Sequence, residues 1–382
     1  MTTKQWCFEP FDTWFFRESR PLDTISGTEL SSLFPPPART ILGAIRSLIG
    51  ENKQVNWKNY HPKKYPDLYK EIGGPDDDDF GQLELKGPFL IYQEQRLYPV
   101  PLFLMEKEGH FHYLQIGKPV DCDLGKQVRL PKLEEPGAKP LDKAWITECG
   151  LKKVLKGELP DNSAHDIIRQ PKLFQPEPRL GIARDKNSRT IQEGLLYQSQ
   201  HLRMTQDIKI GAIVKGIRED LHPSTKERTR FGGEGRLASV EVTDHILSPP
   251  KVQNIPSKGH NLLLMLLTPA DLGCEKESWL PTPHFKKVER QINGKSCTVW
   301  EVNLNGVELS IISAVLGKAI REGGWNLRKH CPRPLKSLVP AGSVWFCKVK
   351  DDLGSAIDKL QGVQVGNETA LGRGELIAGI WG

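Results

Sequence analysis

The sequence lacks a hydrophobic run long enough to cross a membrane. Its longest, Leu262 to Leu267, is far short of the roughly 20 residues a spanning helix needs. The opening residues Met1 to Phe16 carry charges and no apolar core, so they do not read as a signal peptide. Cysteine is sparse and unpatterned. Cys7, Cys122, Cys149, Cys274, Cys297, Cys331 and Cys347 include no pair at zinc-knuckle spacing, which points to reduced thiols and a cytoplasmic protein. No phosphate-binding G-x-x-x-x-G-K-[ST] run occurs, no G-x-G-x-x-G precedes a helix, and no Ser/His/Asp signature or H-E-x-x-H is present. No cofactor is implied. The ten histidines are dispersed. A metal-independent ribonuclease needs only a general base and a stabilising cation, so these absences leave that activity open.

What is present is a chain of 382 residues, a length that suits two domains. Its 35 glycines and 29 prolines imply many turns and a β-rich α+β architecture. A formal charge of +6 permits a polyanionic partner without demanding one. Strands are expected at Gln5 to Glu9, 88–105, 111–130, Glu193 to Tyr197, Ile208 to Ile217, Leu262 to Leu267, Val299 to Leu304 and Gly342 to Val349. A helix should begin at the prolines 35–37 and stop at Gly50, with Ile41, Leu42, Ile45, Leu48 and Ile49 as its apolar stripe. Helical spacing also suggests Ile311 to Ile320 and Leu353 to Leu360. Residues 51–87 and 131–178 read as excursions, the second irregular, and 249–259 as a linker.

Several features could carry chemistry. Gly43 sits in the middle of a helix that also bears Arg39 and Arg46, a costly place for glycine that fits either a close backbone approach or plain helix–sheet packing. Asp76 to Asp79 lacks the alternating spacing of a metal loop and reads as solvated. His110 and His112 share a strand face, but no third ligand is evident. Leu180 to Thr190 reads as a basic hairpin or extended loop carrying Arg184 and Arg189. Gly233-Glu234-Gly235-Arg236-Leu237 and Gly372-Arg373-Gly374-Glu375-Leu376 form a weak repeat, Gly-x-Gly-x-Leu, as two βαββαβ units would produce. A glycine loop beside an arginine lets backbone N–H groups approach a phosphate, and a Cβ at Gly233 would block a positive φ there. A tight turn is the plainer alternative. Finally, Lys318, Arg321, Arg328, Lys329, Arg333 and Lys336 are opposed only by Glu322, with Trp325 among them. Cations with an aromatic suit single-stranded RNA, although charges around a core tryptophan would look the same. No RRM signature of the RNP1 type occurs.

One family carries these pieces in the same order. Phe15-Phe16-Arg17, then Leu33-Phe34-Pro35-Pro36-Pro37 leading to Thr40, Gly43-Ala44 and Arg46, resembles the N-terminus of the type III-B CRISPR Cmr-complex RAMP subunit of the Cas-five type. The likeness continues through Gly181-Ile182-Ala183, Glu193 to Tyr197, Gly323-Gly324-Trp325, Val339 to Val344 and Gly372-Arg373-Gly374. It implies an α+β fold of two ferredoxin-like (RRM-like, βαββαβ) domains with glycine-rich loops and large loop or hairpin insertions. The first would span 1–248, with insertions at about 50–87 and 131–178, and the second 260–382. The resemblance implies a non-catalytic subunit that holds the 5′ tag of the CRISPR RNA in antiviral defence. Its partners would be that RNA, the large polymerase/cyclase-type subunit and a backbone RAMP subunit, with the target RNA flank a further candidate. Candidate contacts are Arg17, Arg39, Arg46, Arg184, Arg189, Gly232, Gly233, Gly235 and Arg236, with Lys318, Arg321, Gly372 and Arg373 secondary. The alternatives are a RAMP endoribonuclease that processes precursor CRISPR RNA and a purely structural, protein-binding subunit.

Overall fold

The computed structural model describes residues 2–18, 29–74, 79–184, 191–252, 259–273, 278–292, 295–326, 329–350 and 352–382. It is a mixed α+β chain, rich in strands and poor in helices. Two compact units account for it. The first comprises 1–94, 170–246 and 321–336; the second comprises 95–169, 247–320 and 337–382.

In the first unit, the strands Glu84–Tyr92, Ile208–Ile217, Thr2–Pro10, Leu237–Thr243 and Glu227–Arg230 lie side by side in that order, all antiparallel. Trp6 and Phe8 on the central strand are fully buried. The helix Ala38–Asn52 begins directly after Pro37 and packs on the Glu84–Tyr92 and Glu227–Arg230 strands. Its expected stripe is its buried face: Ile41, Leu42, Ile45, Leu48 and Ile49. Gly50 does not end it. The helix runs on to Asn52, and a Cβ at Gly50 would run into the Trp57 ring, so the glycine makes room for an indole. Gly43 lies exposed, with nothing within 4 Å of where its Cβ would be, so neither suggested intramolecular role applies.

In the second unit, the sheet order is Phe285–Ile292, Lys295–Leu304, Val307–Val315, Val344–Val349, Asn261–Leu266, Leu376–Ile380, again antiparallel. Leu262, Leu264 and Leu266 face one cluster of buried side chains, while Leu263, Met265 and Leu267 face another. A strand covered on both faces has no polar side to show, which is why this segment is an unbroken apolar run. Each buried leucine there contributes roughly 1.5–3 kcal/mol relative to exposure.

Two expectations change. The segment Ile311 to Ile320 is not helical. Val307–Val315 is a strand whose burial alternates along the chain, paired with Val344–Val349. Glu-Leu-Ser-Ile-Ile-Ser-Ala-Val satisfies a period of two as well as one of 3.6, and a neighbouring strand in need of a partner settles the ambiguity. Residues 131–178 are not an irregular excursion. They hold the strands Ala144–Ile146 and Ile167–Arg169 and the helix Glu148–Leu155, capped by Thr147. Ile146, Leu151, Val154 and Leu155 are fully buried against Leu263, Met265, Phe346 and Ile377. The same packing groups residues 95–169 with the C-terminal stretch, and residues 321–336 cluster with the N-terminal one.

Candidate nucleic-acid interface

The two glycine segments occupy equivalent places. Each leads into a strand, Leu237–Thr243 or Leu376–Ile380, that pairs with the opening strand of its sheet. Gly235 and Gly374 both hold a positive φ, of 65° and 70°. Their surroundings differ. Gly374 is enclosed, its N–H donating to Pro269 O and a Cβ there colliding with the Val365 backbone. Arg373 is 3 % exposed and pairs with Glu368, and Gly372 O accepts from Thr268 Oγ1 at 2.8 Å. The C-terminal loop is therefore built into the interior of its unit.

The N-terminal loop is open. Nothing lies within 4 Å of a Cβ placed on Gly235. The loop is held from beneath, where Phe231 stacks on Phe8 and meets Trp14 and Phe16 edge-on. Gly232 has φ 91°, but Gly233 does not have a positive φ. The Gly233 N–H donates to Phe15 O at 2.7 Å, so it is spent on the fold and is not available to a phosphate.

Beside this loop stands a hairpin of Phe174–Arg184 and Ile191–Met204, whose far strand pairs with Thr13–Trp14. Glu177 lies opposite His201, and Arg179 opposite Ser199. Directly opposed residues and residues two apart share a face, so Glu177, Arg179, Ser199, His201 and Arg203 project together. Three guanidinium groups then converge on Asp12: Arg179 at 2.8 Å, Arg203 at 3.1 Å and Arg236 at 3.1 Å. Glu177 pairs with Arg179 at 2.7 Å and with Arg203. The Arg179 hydrogen bond, then Arg203, holds the Asp12 carboxyl below its ordinary range, and Arg203 does the same for Glu177. Three cations against two carboxylates leave this partly exposed cluster with a net positive charge.

His201 lies under the cluster, 1 % exposed, between Thr13 Oγ1 and Ser199 Oγ at 3.1 Å each and stacked on Phe15. Burial first, then Arg236 and Arg179, lowers its pKa to about 4. The unfolded chain binds a proton near pH 6.5 and the folded one does not, so stability is fully present above that pH and falls between about 6.5 and 4. The expected loss is about 2 kcal/mol between pH 7 and 5, with buried His222 shifted in the same direction. Urea midpoints at the two pH values check it. His201→Gln should flatten the profile, and an unchanged profile would remove His201 as its source.

The other expected contacts are scattered. Arg17 is exposed, in a bridge to Ser32. Arg39 lies over the Phe80 ring at 5.6 Å. Arg46 is turned inward, donating to Gly73 O at 3.0 Å and to Gly74 O, and burial lowers its pKa. Arg184 ends a hairpin strand, Arg189 lies outside the described residues, and Lys318 and Arg321 are exposed. His110 is exposed and His112 half-buried. Asp79 accepts from the N–H groups of Gly74 and Gly81, while Asp76 to Asp78 lie outside the described residues. Among the described residues no three His, Cys, Asp or Glu side chains gather where they could hold one metal ion. Sequence reasoning missed Asp12, Glu177, Arg179 and Arg203. The alternation of Glu177 with Arg179, and of His201 with Arg203, is the signal that could have found them, but it lies outside the short hairpin expected at Leu180 to Thr190.

The sequence comparison defines a class, the CRISPR-associated proteins. The sequence matches the model of the CRISPR-associated protein family Cas_Cmr3 over residues 6–381. The chain belongs to that family and is a RAMP-type subunit of the Cmr complex. No curated protein sequence matches it. It is similar to a chain in a cryo-EM structure of Type III-B Cmr-beta bound to cognate target RNA and AMPPnP. That likeness has 15 % identity and a TM-score of 0.49, covering 93 % of this chain and 87 % of that one. It is also similar to a chain in a crystal structure of the Csm3-Csm4 subcomplex of the type III-A interference complex, with 12 % identity and a TM-score of 0.36, covering 91 % and 94 %. The family assignment rests on the sequence match and not on these likenesses.

Proposed function

We propose that this subunit is a non-catalytic RNA holder that grips the 5′ tag of the CRISPR RNA and joins the large polymerase-type subunit to the backbone of a type III-B effector. The observation that carries the reading is the convergence of Arg179, Arg203 and Arg236 beside the open Gly235 loop. Guanidinium forks match phosphate oxygens, and the open space at Gly235 lets a backbone come close. Two ferredoxin-like modules are proposed as the scaffold. In support, each unit contains four antiparallel strands in the spatial order fourth, first, third, second. The first unit has a helix after its first strand and the second has one before its last. The non-catalytic reading draws support from His201, a titratable group beside the arginines that is walled off from substrate and neutral at pH 7.

Titrating the full chain with its large partner against matched and scrambled tags, at low and high salt, tests the proposal. Base contacts worth roughly 1–3 kcal/mol per stacked base survive salt, so scrambling should weaken binding even at high salt. Equal affinities at every salt would leave a nonspecific basic surface. Defined cleavage of a repeat-containing precursor, lost on replacing one histidine, would make the protein a processing endoribonuclease.

A further inference from the structure

The segment 321–336 clusters with the first unit and holds a small hairpin. Trp325 pairs with Pro332 and Asn326 with Cys331, antiparallel. Arg333 N–H donates to Gly324 O at 2.9 Å, where Gly324 has φ 121°, and Lys329 N–H donates to Asn326 Oδ1 at 2.9 Å. Asn326 and Glu322 are buried and root the hairpin. Trp325 is not a core residue. At 54 % exposed it is the most exposed of the nine tryptophans, whereas Trp6, Trp14 and Trp345 are completely buried. An indole this far out of the core forgoes much of its burial energy, and nothing in the hairpin's backbone requires an aromatic ring there. Its neighbours set the sign of what it can meet. Arg321, Lys329 and His330 are exposed, Arg333 and Lys336 are half-buried, and the one acidic residue of the segment, Glu322, points inward.

We propose that Trp325 is a stacking platform for one nucleobase of a single-stranded RNA, with Lys329 and Arg333 placed toward its phosphates. Charge complementarity favours RNA over a protein partner. A ring among cations offers a π-face to any base while the cations neutralise the backbone, so the contact tolerates sequence. It is a second grip, separate from the guanidinium cluster on Asp12, and it rests on the reading of this chain as an RNA holder. The guide's tag and the flank of a target share this chemistry.

The test uses the full chain, alone and assembled with its large partner, and measures binding of a tag oligonucleotide and of a target-flank oligonucleotide. Trp325→Ala should weaken one of them by roughly five- to a hundredfold, with the loss unchanged at high salt. Trp325→Phe should restore most of it, and the oligonucleotide affected names the strand. Lys329→Ala should lower the salt slope by about 0.7. Undiminished binding of both oligonucleotides by Trp325→Ala overturns the inference, and loss of subunit assembly alongside it would reassign the surface to a protein. If Arg179→Ala/Arg203→Ala loses RNA while Trp325→Ala does not, only this inference fails. If neither variant loses RNA, the RNA-holder reading fails with it.

Discussion

Arg96→Ala should lower the unfolding free energy by roughly 3–5 kcal/mol, a large share of what holds a domain of this size together. Arg96 and Glu375 are 4 % and 0 % exposed, and Arg96 Nη2 lies 3.0 Å from Glu375 Oε2. The guanidinium also donates to Leu247 O at 3.3 Å and sits 5.1 Å from the centre of the Tyr98 ring. Burial pushes the Tyr98 hydroxyl's pKa up, which keeps that ring neutral beside the cation. Removing the arginine takes the ion-pair partner at 3.0 Å from a carboxylate that water cannot reach. The pair fastens the Gln95–Pro99 strand to the residue just before Leu376–Ile380, so the loss should be global and not local. Urea denaturation of the single variants and of Arg96→Met/Glu375→Leu makes the comparison. The double variant should be much milder than either single, because two apolar side chains leave no charge unpaired. Single variants within about 1 kcal/mol of the parent would mean that the pair is solvated in solution.

Arg179→Ala/Arg203→Ala should cost the subunit roughly ten- to a hundredfold in RNA affinity, since a hydrogen bond to a charged group contributes about 1.5–3 kcal/mol. Two of three guanidinium groups vanish while Asp12 and Glu177 remain, so the cluster changes sign. Each phosphate that the variant no longer neutralises should also make the slope of log K against log salt shallower by about 0.7. Asp12→Asn should act in the opposite direction. Asp12 now occupies the point on which the three arginines converge, as a phosphate oxygen would. Neutralising it frees their charge for an external anion, and because Asp12 is 45 % exposed the change should cost little stability. Tighter binding by Asp12→Asn together with weaker binding by the double variant is the expected pair of results. Weaker binding by both would make Asp12 a structural brace of the cluster instead of a stand-in for phosphate.

Much of the scaffold is legible in the residues alone. The Ala38–Asn52 helix and its buried stripe follow from proline at the start and apolar residues at 3.6 spacing, and the Leu262 to Leu267 strand follows from its length. The Gly-x-Gly-x-Leu repeat marks the turn into the last core strand of each sheet. Strand against helix at Ile311 is not legible, because a short apolar run of β-branched residues fits both periods and only the neighbouring strand decides. Exposure is equally hidden. The two glycine repeats look alike in sequence, but one encloses a buried arginine and the other opens to solvent.

By itself the sequence determined the family, through motifs strung along nearly the whole chain, and the local elements, because periodicity and capping act within a few residues. Tertiary structure decided the units and the candidate site. Residues 95–169 join the C-terminal stretch because their apolar side chains complete its core. Asp12, Arg179, Arg203 and Arg236 meet only once hairpin register and loop packing have set which side chains share a face. A charge's partner is fixed by distance in space, and for residues so far apart along the chain no local pattern encodes it.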